Sequence, residues 1–149
     1  MGSDKIHHHH HHMKVYFDDI YVSTARQFEL VDITDQVEQI VEKSGIKNGI
    51  CLIFVAHSTA AIVANEHERG LMEDILTKIK EFTEPSRSWK HNLIDDNAHA
   101  HLGATFLGAE RVFPVREGKL VRGTWQNIFL VELDGPRSER HITVEILGE

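Results

Sequence analysis

The stretch GICLIFVAH at residues 49–57 is a continuous apolar run rich in β-branched residues. It is too short to span a bilayer, and this composition is typical of a strand buried on both faces. The sequence therefore predicts such a strand, ending at His57. Cys51 lies inside the run, so we expect it to be a buried small hydrophobe and not a reactive thiol.

The segments around this strand carry both strand and helix patterns. KVYFDDIYVST and QFELVDI predict two strands before it, and TAAIVAN predicts a strand after it. Four β-rich pieces with turn residues between them close the chain, and these pieces are ERVFPV, KLVRG, WQNIFLVELD and ERHITVEIL. They predict antiparallel hairpins at the C-terminal end.

Three helices are predicted between these strands. The first has Thr34 as its N-cap and Gly45 as its left-handed C-terminal residue. The second follows an apolar stripe over 66–82, and Pro85 prevents its continuation. The third is short, covers about 98–107 and ends at Gly108. The predicted fold class is α+β, a single domain with a mixed or antiparallel β-sheet and about three helices.

The first twelve residues, MGSDKIHHHHHH, read as an expression tag, with Met13 as the native start. We therefore predict a tag at 1–12 and one domain at 13–149. The sequence shows neither a secretory segment nor a membrane-length apolar stretch, so we expect a cytoplasmic protein.

The charge balance restricts the partners. The net charge is −7, from 23 acidic and 16 basic residues, and no basic stripe is present, so nucleic acid and membranes are not expected partners. Basic residues nevertheless crowd the last third of the chain. Guanidinium groups at Arg116, Arg137 and Arg140 suit phosphate oxygens, and solvated charges at strand ends are the alternative interpretation.

The histidines beyond the tag are the main candidates for chemistry. His57 follows the apolar strand and precedes Ser58 and Thr59, and it is either a site group or a histidine at the edge of the core. His91 lies in a long polar loop just before Asp95 and Asp96. Loops of this length in a compact domain are more often functional than incidental.

His99 and His101 cannot act together if their segment is helical. Two positions correspond to about 200° of rotation, so one ring faces inward and the other faces the surface or an interface. His67 lies near the start of the second predicted helix, where a positive charge opposes the helix dipole, so we expect a neutral or interface role. His141 is expected to be an ordinary strand residue.

Three imidazoles from separate segments would form a three-ligand metal site with one open position, which can activate water or polarise a substrate oxygen. Glu66 and Asp96 are the nearest carboxylates for acid–base work or for support of the ligands. The chain contains no HEXXH or CXXC spacing, so the metal site is a composite inference.

Three stretches together resemble the YjbQ-like family, some members of which are named secondary thiamine-phosphate synthase. They are HSTAAIVANE at 57–66, the loop WKH…DDNAHAHL at 89–102, and FLGAERVFPVREGKLVRGTWQNIFLVELDGPR at 106–137. The similarity covers essentially all of 13–149. Its most specific part is GTWQ-x-I at 123–128, followed by the turn DGPR.

The resemblance implies a set of site residues. It selects His57, His91 and His101 as metal ligands, and Glu66, Asp96 and His57 as catalytic groups. The residues assigned to substrate binding are Asn65, Ser58, Thr59, Arg116, Trp125, Gln126, Arg137 and Arg140. Because the ligands are histidines, the implied cofactor is a divalent metal ion, Zn²⁺ or another transition ion, with Mg²⁺ as a further option.

The resemblance also implies a homotrimer with sites near subunit boundaries. The implied reaction joins an aminopyrimidine methyl diphosphate to a thiazole phosphate and releases diphosphate, so the expected partner is a small phosphorylated substrate. Two alternatives stay open. One is a metal-dependent hydrolase of a phosphoester or similar bond, and the other is a non-catalytic trimeric module that binds an anionic metabolite.

Overall fold

The computed structural model describes residues 12–149, so the tag predicted at 1–12 lies almost entirely outside the described residues. The strands are β1 (Lys14–Thr24), β2 (Glu29–Asp32), β3 (Gly49–Val55), β4 (Ala60–Asn65), β5 (Glu110–Arg116), β6 (Lys119–Leu120), β7 (Asn127–Glu132) and β8 (Arg137–Gly148). The helices are α1 (Thr34–Ser44), α2 (Arg69–Thr83) and α3 (Ala98–Leu107), and a short 3-10 turn spans Lys90–Leu93.

The strands form two antiparallel sheets. The larger sheet has the order β1-β8-β3-β5-β6, and the smaller has the order β2-β7-β4. Every strand pair in both sheets is antiparallel. The α+β class and the three helices predicted from the sequence are confirmed. No helix among residues 12–149 is long and apolar enough to cross a membrane.

The smaller sheet lies in the middle of the molecule and separates two apolar cores. Ile128 and Leu130 of β7 pack with the larger sheet and α1, whereas Phe129 and Val131 pack with α2 and α3. Successive side chains of a strand point to opposite faces, so β7 contributes to both cores. β7 is therefore buried on both faces.

β3 departs from the prediction made for GICLIFVAH. Its inward residues Cys51, Ile53 and Val55 are buried, but Ile50 and Phe54 are 46% and 39% exposed. These two side chains lie on the outer face of the larger sheet, which no element among residues 12–149 covers. The prediction of burial on both faces was wrong because an apolar run does not reveal whether a second layer covers its other side.

The C-terminal strands follow the prediction only in part. β5 and β6 form the expected hairpin, with Val115 opposite Leu120. β7 and β8 do not pair with each other, because β7 joins the smaller sheet and β8 lies between β1 and β3 in the larger one. The turn residues show that the chain reverses, but they do not show which strand receives it.

Particular residues mark the end of α1 and the starts of α1 and α2. α1 ends at Gly45, whose φ of 68° is the left-handed conformation predicted for it. Thr34 is the first residue of the helix and not its N-cap, which is Ile33. The Asp32 carboxylate accepts hydrogen bonds from the Thr34 amide and hydroxyl at 2.9 and 2.5 Å. α2 begins at Arg69, and the Glu68 carboxylate before it accepts hydrogen bonds from the amides of Gly70 and Leu71.

Asp32 joins four segments of the chain. Besides Thr34, its carboxylate accepts hydrogen bonds from Asn127 Nδ2 at 2.7 Å and from His67 Nδ1 at 2.6 Å. Partial burial raises the pKa of Asp32, but the hydrogen bonds from His67, Thr34 and Asn127 outweigh this effect and lower it to about 2. The carboxylate therefore holds the end of β2, the start of α1, the start of β7 and the segment before α2 together.

This junction predicts a pH-dependent stability. The pKa of Asp32 is about 2 in the folded protein against an ordinary value of 3.8. Its contribution to the free energy of unfolding is thus fully present above about pH 4 and is lost as the pH falls towards 2. Asp32→Asn should lower stability at neutral pH and flatten the pH dependence between about 4 and 2, as measured by urea denaturation. Asp74→Asn, an exposed carboxylate on α2, is the control, and equal slopes for Asp32→Asn and wild type would contradict the prediction.

Candidate functional site

His91 and His101 lie side by side at the opening of a cleft. His91 comes from the 3-10 turn and His101 from the first half of α3, and their ring centroids are 4.8 Å apart with an interplanar angle of 74°. The cleft has a volume of about 670 Å³ and is also lined by Trp89, Lys90 and Leu102. Two of the three predicted metal ligands are therefore brought together within one chain.

Asn97 determines which nitrogen of His91 is available. The Asn97 Nδ2 group donates to the Asp134 carboxylate at 2.9 Å, so its Oδ1 faces the His91 ring at 3.2 Å from Nε2. His91 Nε2–H donates to this oxygen, which leaves the lone pair of Nδ1 free. Metal-binding histidines are commonly held in this way, through a hydrogen bond from the nitrogen that does not bind the metal.

His99 and His101 face different sides of α3, as predicted from their spacing. His99 is 3% exposed, its Nε2 lies 3.2 Å from the Leu133 carbonyl oxygen, and its ring packs 5.4 Å from that of Phe28. His101 faces the cleft, because α3 turns the two side chains to different sides. His99 is thus a core residue, and His101 is the histidine available for chemistry.

The cleft has a basic rim and an aromatic wall. The Arg87 guanidinium lies 4.8 Å from the centre of the Trp89 ring and pairs with Glu84 at 3.1 Å, and Lys90 lies next to them. Asp95 borders the histidines, and its pKa is lowered first by a hydrogen bond from the Asp96 amide and further by His91 and His101. These basic and aromatic groups suit a ligand that combines a phosphate with a ring.

His57 lies just beyond β3, and its Nε2 is already occupied. It accepts a hydrogen bond from the His141 backbone amide at 2.9 Å. Desolvation by burial lowers the pKa of His57, and the nearby positive charge of Arg140 lowers it further. At neutral pH the ring is therefore neutral with its proton on Nδ1, so it suits hydrogen-bond donation better than metal binding.

Asp134 and Arg137 connect the two histidine positions. Arg137 Nη2 donates to the Asp134 carboxylate at 2.8 Å, and that carboxylate also holds Asn97 beside His91. The charge of Arg137 is also one of the causes that lower the pKa of His57. Arg137 is 46% exposed, so it can reach a bound anion.

Arg140 is not at the surface, where its predicted contact with phosphate would place it. Its side chain is 2% exposed and pairs with the fully buried Glu132, and its Nη2 also donates to the hydroxyl oxygen of Thr59 at 3.0 Å. Glu132 accepts a further hydrogen bond from the Thr24 hydroxyl at 2.7 Å. Arg140 shares the inward face of β8 with Ile142, Val144 and Ile146, so the alternation of RHITVEIL carried the signal of its burial.

The remaining predicted residues are divided between the two ends of β4. In the pairing of β4 with β7, Ala60 is opposite Glu132 and Asn65 is opposite Asn127. These two ends of β4 are about 17 Å apart at about 3.4 Å per residue. Ser58 and Thr59 lie at the first end with His57, whereas the other end holds the predicted residues Asn65, Glu66, Trp125 and Gln126.

Two further predicted residues are exposed. Arg116 lies at the end of β5, beside the start of β3, and is thus separated from His57 by the length of that strand. Asp96 lies between His91 and α3, close to the cleft. Sequence reasoning missed Asn97 and Asp134, although the position of Asn97 immediately before α3 marks it as a helix-terminal polar residue.

The histidines in the described part of the chain do not complete a metal site. Among residues 12–149, no group of three or more His, Cys, Asp or Glu side chains is arranged so that it could hold a metal ion. His91 and His101 supply two nitrogen ligands, and His57 Nε2 is engaged elsewhere.

The family model and the relatives that match this chain carry the same family name. The family model described as "UPF0047 protein YjbQ-like" matches residues 18–149. A UPF0047 protein of Methanothermobacter thermautotrophicus is 44% identical over 137 residues, which cover 92% of this chain and 95% of the relative. One from Archaeoglobus fulgidus is 47% identical over 124 residues, which cover 83% and 96%.

Solved structures agree in fold. A hypothetical protein of Aeropyrum pernix K1 has a TM-score of 0.86 and 48% identity, with 89% of this chain and 98% of that chain covered. An uncharacterized conserved protein of the yjbq/upf0047 family from Clostridium acetobutylicum has a TM-score of 0.82 and 33% identity, with 87% and 98% covered. The domain seen here is thus shared by bacterial and archaeal proteins.

The buried ion pair behind His57 yields a stability prediction. Arg140→Ala should lower the free energy of unfolding by about 3–5 kcal/mol, because it leaves the buried Glu132 carboxylate without its partner. The double variant Arg140→Met/Glu132→Leu should lose much less, because no buried charge remains. Arg137→Ala, which removes an exposed pair, is the control with an expected loss of about 0–1 kcal/mol. Chemical denaturation measures all three, and a loss for Arg140→Ala no larger than that of the control would contradict the prediction.

Proposed function

Since the chain belongs to the YjbQ-like UPF0047 family, we propose that it is a metal-assisted enzyme acting on small phosphorylated substrates at the cleft of His91 and His101. The observation that carries the proposal is the pair of imidazoles with adjacent rings beside the basic side chains of Arg87 and Lys90. Imidazole suits Zn²⁺ and other transition ions, and the basic groups suit phosphate oxygens.

The donor set favours a transition ion over Mg²⁺. His91 Nδ1 is free because Nε2–H donates to Asn97, and the His101 ring faces the same cleft. When bound there, a divalent ion would stabilise negative charge that develops on phosphate oxygens. We propose that the substrate or a second copy of the chain supplies the ligands that complete its coordination.

The proposed reaction is the one implied by the resemblance. The ring nitrogen of a thiazole phosphate forms a bond to the methylene carbon of an aminopyrimidine methyl diphosphate. The bond from that carbon to the diphosphate oxygen breaks, and its electron pair leaves with diphosphate. The arrangement fits this demand: Arg87, Lys90 and Arg137 can bind the departing anion, and the Trp89 ring can face the cationic methylene.

His57 has a separate proposed role. Because its Nε2 accepts from the His141 amide, its Nδ1–H can donate a hydrogen bond to a phosphate oxygen. We propose this role in place of the metal-ligand role given to it by the resemblance. It requires a neutral ring, which agrees with the lowered pKa of His57.

We further propose that the complete site forms between copies of the chain. Glu66, Trp125 and Gln126 lie about 17 Å from the His57 end of β4, too far to act on the same small molecule within one subunit. The uncovered outer face of the larger sheet supports association, because it exposes apolar side chains that include Phe17, Ile50 and Val112. The homotrimer implied by the resemblance would meet both requirements.

Metal binding tests the histidine pair. Zn²⁺ affinity should be measured by calorimetry on tag-free protein, because the tag histidines also bind metal. His101→Ala should abolish the binding, and Asn97→Ala should weaken it by about 10–100-fold because His91 loses its orienting partner. His141→Gln, in β8, is the control. Unchanged affinity in His101→Ala would refute a metal site at this cleft.

Product analysis separates the enzyme from its alternatives. Tag-free protein should form thiamine phosphate and diphosphate from the two precursors, and His101→Ala should not. Release of phosphate without a new C–N bond would identify a hydrolase instead. Full ligand affinity and biological effect in His101→Ala would identify the non-catalytic binding module.

Mixed subunits test whether the site is shared. Glu66→Gln and His101→Ala should each be inactive alone, because each lacks one half of the proposed site. Co-assembly of the two variants should restore part of the activity, since some boundaries then combine an intact Glu66 with an intact His101. Activity that stays absent in mixed assemblies, shown by mass spectrometry to contain both variants, would contradict a shared site.

A further inference from the structure

A second cleft lies between residues 25–30 and the first half of α2. Its volume is about 570 Å³, which is within the usual range for small-molecule sites. Apolar side chains line one part of it, and these are Phe28, Leu30, Met72 and Leu76. None of the residues assigned to the proposed function lines this cleft.

His67 presents a nitrogen at this cleft. Its Nδ1–H donates to the Asp32 carboxylate at 2.6 Å, and its ring packs 5.5 Å from that of Phe129. Its side chain is 50% exposed, and no group among residues 12–149 hydrogen-bonds to Nε2. The ring is thus held from one side while its second nitrogen stays available.

The partner of His67 is a fixed anion. Asp32 also accepts hydrogen bonds from the amide and hydroxyl of Thr34 and from Asn127. These donors do not depend on His67, so the carboxylate keeps its charge and position. An aspartate held in this way orients the histidine ring and holds its proton on Nδ1, so Nε2 is the nitrogen available to a ligand.

Two arginines that line the cleft form few ion pairs or hydrogen bonds through their guanidinium groups. No group in the described part of the chain pairs with the Arg26 guanidinium, because the nearby Glu29 carboxylate instead accepts from the amides of Ala25 and Arg26. The closest ionic contact of Arg69 is with Glu73 at 3.6 Å, and both side chains are largely exposed. Such exposed pairs contribute little, so both guanidinium groups can turn to a ligand.

We propose that this cleft binds a small molecule in which an oxyanion, a phosphate monoester or a carboxylate, is attached to an apolar body. Arg26 and Arg69 bind the oxyanion, and His67 Nε2 forms a hydrogen bond to it in which the two groups share one proton. Met72 and Leu76 contact the apolar body.

The carboxylates of Glu29 and Glu73 also line the cleft, but the first accepts from backbone amides and the second lies next to Arg69, which leaves the Arg26 guanidinium as the unpaired charge among the described residues there. The apolar floor selects an amphiphilic ligand over inorganic phosphate, which would leave that floor uncovered. The site is distinct from the cleft of His91 and His101.

Calorimetry with phenyl phosphate, benzoate and benzyl alcohol tests this proposal. The measurements use His101→Ala as the background, so that failure of the proposed function and failure of this site can be distinguished. At least one of the two anions should bind saturably, and the uncharged alcohol should not. Preference for phenyl phosphate or for benzoate then identifies the oxyanion. Amide NMR shifts at Leu30 and Met72 should report the same event.

Matched variants assign the binding to the proposed groups. Arg26→Ala and His67→Gln should each weaken it by about tenfold, the equivalent of one charge-assisted hydrogen bond. His141→Gln removes another histidine that is paired with an aspartate, and Lys119→Ala removes a remote positive charge, so both should bind like the background. The Arg26 guanidinium has no hydrogen bond or ion pair to lose among residues 12–149, so its variant tests the site even if His67→Gln is destabilised. The proposal would be overturned if neither anion bound saturably, or if binding were unchanged in Arg26→Ala.

Discussion

The buried pair of Arg140 and Glu132 is the interaction on which the arrangement of the two sheets depends. Glu132 ends β7 in the smaller sheet, and Arg140 lies near the start of β8 in the larger one. Desolvating both groups is costly, and their attraction offsets that cost only when the remaining donors and acceptors are satisfied. Thr24 and Thr59 meet this requirement from β1 and from the residue before β4. The pair therefore fixes the place where the chain passes from one sheet to the other, directly behind His57.

The local elements could be predicted from the sequence, whereas their pairing could not. α3 has the predicted bounds, and Gly45 ends α1 in the predicted conformation, because helix periodicity and termini are encoded within a few residues. The division into two sheets depends on which distant strands share a core, and no local pattern records this. For the same reason, GICLIFVAH correctly predicted a strand but wrongly predicted that both of its faces are buried. A layer covering the outer face would have to come from distant residues, and the local sequence does not record whether such a layer exists.

The candidate site shows the same division between local and distant information. Helical rotation is enough to separate His99 from His101, because both lie on one short helix. The contact between His91 and His101 depends on how a long loop folds back onto α3, which spacing alone does not give. The position of Arg140 after a turn favours exposure, but its place in the alternation of β8 decides its burial. The role of Asp32 has no local signal, because its partners His67 and Asn127 come from distant parts of the chain.

The length of β4 limits what one subunit can do. A small phosphorylated substrate cannot contact groups at both ends of a six-residue strand, so the residues near His57 and those near Glu66 serve one reaction only if a neighbouring copy brings them together. The engaged Nε2 of His57 adds a second constraint, because it leaves the cleft with two free imidazoles where a protein-held catalytic ion usually has three ligands. Both constraints have the same consequence. If the chain has the proposed activity, groups kept at separate edges can act on one substrate only in an assembly, and the contacts between copies of the chain would then be part of the active site.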